Sequence, residues 1–228
     1  MTVAANLATI EARVAAACAR AGRARETVRL LPVSKTHPAS LVMEAYAAGC
    51  RRFGENKVQE ASAKAAELAS VSDLEWSFIG HLQTNKAREL ASFASEFQAL
   101  DSLRVAAALD RRLQELGRGL DVLIEVDTSG EASKFGVAPE DVPALARGLS
   151  AFGALRVRGL MTIAANTADR EVIAGCFDTM VALRERVRDA VGAGCDELSM
   201  GMSGDFELAI EHGSTCVRIG TAIFGARG

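Results

Sequence analysis

Eight short runs of bulky, partly β-branched residues punctuate the chain, and longer stretches with helical spacing lie between them. This alternation constrains the fold more than any other feature, because neighbouring parallel strands need a long crossover, usually a helix, to bring the chain back. The runs fall at 28–33, 51–54, 75–79, 96–99, 121–126, 156–161, 197–200 and 215–219. Those at 96–99 and 197–200 are weak alone and are assigned by their place in the alternation.

The intervening segments carry helix start, face and stop signals. Pro38 suits a first helical turn, Leu41, Val42 and Ala45 follow at helical spacing, and Gly49 can end the segment. Ser102 can cap a helix with Val105, Leu109, Leu113 and Leu116 on one face. Pro139 opens another with Val142, Leu145, Ala146 and Leu149, and a longer one runs through Val172, Ile173, Cys176, Phe177, Met180, Leu183 and Val187. Eight strand–helix units predict an α/β fold, a single (β/α)8 TIM-type barrel with an additional N-terminal helix, forming one domain over 1–228. An open doubly wound sheet is the competitor, but the first strand-to-helix turn, SKTHP, lacks a G-x-G-x-x-G fingerprint.

A formal net charge of -3, with 24% charged residues, provides no strong field for nucleic acid or an anionic membrane. A small molecule or another protein is the expected partner. The five cysteines are scattered, without C-x-x-C, and read as free thiols of a cytoplasmic protein. Glu11 and Arg13 interrupt the N-terminal apolar face, unlike a secretion signal, and no stretch is long enough to span a bilayer.

In a barrel, reactive groups should follow the strands at their C-terminal ends. Lys35 follows the first, Glu55 and Asn56 the second, His81 the third, Asp101 the fourth, Asp127 the fifth and Ser203 the seventh, while Arg218, Gly220 and Thr221 finish the eighth. Desolvation of Lys35 against the barrel wall would favour the neutral amine that attacks an aldehyde. Its local sequence fits a snorkelling strand-end lysine as well. Gly201, Ser203 and Gly204 in one turn, with Gly220 and Thr221 in the next, allow backbone N–H groups to approach a phosphate. Arg218 inside a strand needs a partner: a carboxylate, or a pyridine nitrogen that the guanidinium would keep unprotonated. His37, His81 and His212 make no recognisable metal motif. Glu55, Asp101 and Asp127 read as helix caps before acids or bases.

VSKTHP, RRFGENKVQE, LEWSFIGHLQTNK, SKFGV, RGLMTI, LSMGMSGDFELAI and STCVRIGTAIFGARG together resemble the YggS/PROSC family of pyridoxal phosphate homeostasis proteins, in order and over nearly the whole chain after the first helix. The resemblance implies a barrel like the N-terminal domain of alanine racemase, with pyridoxal 5′-phosphate held as a Schiff base on Lys35. It further implies Asn56 near the ring hydroxyl, Arg218 near the pyridine nitrogen, and Ser203, Gly220 and Thr221 around the phosphate. AANTAD, at 164–169, departs from the proline-containing segment of many relatives. Lys134 in SKFGV reads as a solvated loop residue.

The implied function is non-catalytic: holding the cofactor as a monomer and releasing or transferring it, with pyridoxal phosphate-dependent apoenzymes as recipients. The alternative is an amino-acid racemase with weak activity, which would need a second acid/base group opposite Lys35. The sole tyrosine, Tyr46, lies in the first predicted crossover helix, and the chain ends at Gly228 without the extra β-domain of alanine racemases. A Schiff-base aldolase is a third reading, which the resemblance disfavours.

Overall fold

The computed structural model describes residues 2–131, 135–192 and 194–226. Eight strands alternate with helices as the sequence predicts: β1 (Arg29–Pro32), β2 (Arg52–Glu55), β3 (Glu75–Phe78), β4 (Glu96–Leu100), β5 (Leu120–Glu125), β6 (Leu155–Met161), β7 (Glu197–Ser199) and β8 (Cys216–Ile219). All pairings are parallel, in the order β1-β8-β7-β6-β5-β4-β3-β2. A bridge between Val33 and Gly54 brings the ends of β1 and β2 together. The sheet is thereby a nearly closed (β/α)8 barrel, and the weak segments at β4 and β7 are genuine strands.

The helices are α1 (Val3–Arg20), α2 (Ala39–Ala47), α3 (Val58–Glu67), α4 (Ala87–Phe93), α5 (Leu103–Glu115), α6 (Val142–Leu149), α7 (Arg170–Val191), α8 (Phe206–Glu211) and α9 (Thr221–Phe224). The N-terminal α1 buries Val3, Leu7, Ile10, Val14 and Ala17, the stripe that a 3.6-residue period puts on one face. That stripe joins Phe206, Ile210 and Phe224 in one apolar cluster. It holds α8 and α9, the helices after β7 and β8, and each fully buried large side chain there contributes about 1.5–3 kcal/mol.

Three helix expectations need correction. Leu116 is 50% exposed and Val172 48%, so the buried faces of α5 and α7 are narrower than their apolar patterns. Leu116 is the C-cap of α5, beyond its last helical residue, Glu115. Pro139 precedes α6, which starts at Val142 with Pro143 in its first turn, a position that needs no N–H partner.

The barrel interior is polar at its N-terminal end. Glu96, 1% exposed, accepts from Arg29 Nη2 at 2.7 Å, Arg52 Nη1 at 3.2 Å and the Ser77 hydroxyl. These donors, with Arg29 foremost, hold its carboxyl below the usual carboxylate range although burial pushes the other way. The opposite end opens into a cavity.

Candidate functional site

That cavity, of about 500 Å³, lies at the C-terminal ends of the strands. Lys35, Asn56, Ser203, Arg218, Gly220 and Thr221 all line it, although 186 positions separate the first from the last (221 − 35). A neighbouring groove of about 710 Å³, lined by Gln83, Asn85 and Arg104, shares among the described residues the wall made by His81 and Phe135, whose rings stack at 4.0 Å.

Arg218 enters from β8 and is 4% exposed. Its Nη1 donates to the Ser199 carbonyl and hydroxyl, each at 2.7 Å, and its Nη2 to the Thr162 carbonyl at 2.8 Å. Among the described residues, neutral oxygens thus orient the guanidinium, in place of the carboxylate partner that the sequence also allowed. A fixed cation of this kind disfavours protonation of a nitrogen brought beside it.

The turns after β7 and β8 fit an anion. Gly201 has φ +97°, and a Cβ there would stand 2.9 Å from the Phe206 Cα, so the chain can turn sharply into α8 only with glycine. Met202 and Asp205 close the turn, the Met202 N–H donating to Asp205 Oδ1 at 2.6 Å. Among the described residues, the N–H groups of Ser203, Gly204 and Gly220 are not spent on other backbone carbonyls.

The expected caps are corrected as well. Glu55 is the last residue of β2, fully buried, and accepts from the Ser34 hydroxyl and Lys64 Nζ, both at 2.6 Å. Asp101 pairs with His81 Nδ1 at 3.2 Å, while Ser102 caps α5. Asp127 accepts from Ser129 and Gly130 N–H groups within its loop. Tyr46 donates to Asp73 Oδ1 at 2.5 Å and is not among the cavity residues. Lys134 lies outside the described residues.

Sequence reasoning missed Glu125. It ends β5, lines the cavity and is 6% exposed. Burial pushes its carboxyl up to about 7, Asp101 and Asp127 adding to the rise and Arg218 opposing it. The signal was one acid in the otherwise apolar end of DVLIEV. His37 also lines the cavity, beside Phe224. Glu125 Oε2 and Asn56 Oδ1 are buried without a hydrogen-bond partner among the described residues. Two such oxygens in one lining fit a polar ligand that would satisfy them, since each costs about 1–3 kcal/mol unpaired.

A parallel barrel with a lysine, an oriented arginine and an anion-ready pair of turns defines a class of cofactor-binding barrel, and residues 5–228 match the family described as alanine racemase, N-terminal domain. A pyridoxal phosphate homeostasis protein of Pseudomonas aeruginosa is 49% identical over 99% of this chain and 96% of its own length. One of Escherichia coli is 44% identical over 99% and 97%. PipY of Synechococcus elongatus, solved with PLP bound, superposes with a TM-score of 0.87 at 37% identity, covering 98% of this chain and 100% of PipY. The chain belongs to the YggS/PROSC family of pyridoxal phosphate homeostasis proteins, within the alanine racemase N-terminal-domain class.

Proposed function

We propose that residues 1–228 act as one unit that binds pyridoxal 5′-phosphate and serves its homeostasis, holding it on Lys35 and releasing or passing it to apoenzymes. The observation that carries this reading is the convergence of Lys35, Asn56, Ser203, Arg218, Gly220 and Thr221 on one cavity. The cofactor supplies an aldehyde, whose carbon bonds to a primary amine with loss of one water, and the reverse hydrolysis frees it without redox change.

Lys35 supplies the amine. Ser203, Gly220 and Thr221 receive the phosphate, Asn56 meets the ring hydroxyl, and Arg218 faces the ring nitrogen and keeps it unprotonated. An unprotonated ring is a poor electron sink, which favours retention over reaction. The role proposed is therefore non-catalytic, and Tyr46, bonded to Asp73, supports that over racemisation.

The test is to load the protein with the cofactor, reduce with borohydride and map the modified peptide. A visible band and a label on Lys35, both lost in Lys35→Ala, are expected. An unlabelled Lys35 in a cofactor-loaded sample would overturn the assignment, and a sustained Lys35-dependent turnover of amino acids at about 1–1000 per second would overturn the carrier role.

A further inference from the structure

The turn carrying Lys35 is tied down on both sides by Glu55, Glu60 and Lys64, none of which is among the residues lining the cavity. Thr36 has φ +67°, the one non-glycine in the left-handed region among the described residues. A β-branched residue takes that conformation only where its surroundings impose it. Here the Thr36 N–H donates to Glu60 Oε1 at 2.5 Å, and the Ser34 hydroxyl donates to Glu55 Oε1 at 2.6 Å. The Ser34 carbonyl accepts from Lys64 Nζ at 2.8 Å.

Lys64 unites these bonds. From α3 it also donates to Glu55 Oε1 at 2.6 Å and Glu60 Oε1 at 2.7 Å, so three oxygens match its three ammonium hydrogens. Lys64 is 6% exposed and Glu55 fully buried, so water screens their attraction little. One ammonium thus links the residues before and after Lys35 to β2 and α3.

We propose that Lys64 is a positioning residue for Lys35, holding the Ser34–Thr36 turn so that the Lys35 amine meets the aldehyde in a fixed place. The role rests on the cofactor attachment proposed above. Lys64, with every hydrogen committed, also leaves that attachment to Lys35. Loosening the turn should therefore impair bond formation at Lys35 more than it impairs recognition of the ring and phosphate by Arg218, Gly220 and Thr221, which belong to β8 or the turn after it.

The experiment compares wild type with Lys64→Met and Glu60→Ala. Each is titrated with pyridoxal 5′-phosphate, with borohydride-trapped label on Lys35 as the readout. Each is titrated separately with pyridoxine 5′-phosphate, which keeps the ring and phosphate but lacks the aldehyde. In Lys64→Met the concentration for half-maximal labelling is expected to rise about tenfold, while affinity for pyridoxine 5′-phosphate changes less than about twofold. Parallel losses on both ligands would reveal a merely structural role, and no loss on either would reveal none; both overturn the proposal. If Lys64→Met fails to fold, Glu60→Ala, which removes the Thr36 acceptor and one Lys64 partner, decides by the same split. A wild-type protein without label on Lys35 overturns the proposed function itself, and this role with it.

Discussion

Arg218 Nη1 donates to Ser199 Oγ at 2.7 Å, and Ser199 Oγ donates in turn to Gln98 Oε1, also at 2.7 Å. Gln98 Nε2 continues the line to Glu96 Oε2 at 2.6 Å, where Arg29 and Arg52 close it. Gln98 and Ser199 are fully buried, so their polarity is directional: the carboxylate fixes the amide, the amide fixes the hydroxyl, and the hydroxyl presents a lone pair to Arg218.

Cutting this line should disturb Arg218 without touching it. Gln98→Leu is expected to cost about 1–3 kcal/mol in denaturant unfolding, because Ser199 and Glu96 each lose a buried partner. The absorption band of the cofactor-loaded protein should also move, as the Ser199 hydroxyl, one of the three acceptors of Arg218, loses the partner that orients it. Ser77→Ala removes a different donor to Glu96 and should lower stability with the band unchanged.

Glu125 gives stability a pH dependence of defined sign. Its carboxyl, raised by burial to about 7, binds more protons folded than unfolded between about pH 4.5 and 7, so its contribution to stability falls as pH rises through that window. Glu125→Gln lacks the ionisable group. Relative to wild type it should gain up to about 3 kcal/mol between pH 4.5 and 8 in cofactor-free unfolding curves. A flat difference across that range would refute the buried, proton-retaining carboxyl.

Gly80 lets the segment just after β3 pass close to the residue after β2. A Cβ there would fall 2.2 Å from the Asn56 carbonyl oxygen, a clash with backbone that no rotamer relieves. Gly80→Ala should destabilise by about 1–3 kcal/mol and weaken cofactor binding by displacing Asn56. At the far end of the barrel, Gly159→Ala would meet the Glu197 carbonyl oxygen at 1.9 Å, and it should lose stability with affinity retained. Equal affinity losses would show that Asn56 is not the cause.

Ser102 accepts from the Val105 N–H at 3.4 Å as the cap of α5. Ser102→Ala should cost about 0.5–2 kcal/mol in thermal or denaturant unfolding, with labelling of Lys35 unaffected.

The sequence by itself determined the alternation of strands and helices, because periodicity and end signals are local: Ser102 caps α5, and the α1 stripe is buried along its length. It also put Lys35, Asn56, Ser203, Arg218, Gly220 and Thr221 at strand ends, and a barrel gathers all its strand ends at one face. Local pattern failed where exposure depends on a neighbouring element, as at Leu116 and Val172. Only the tertiary structure decided which charges meet. Glu55 became the buried partner of Lys64 and Ser34, Asp101 turned to His81, and Glu125 entered the cavity beside Arg218. The reason is physical: the state and role of an ionisable group depend on its burial and on partners from other strands, and barrel closure fixes both.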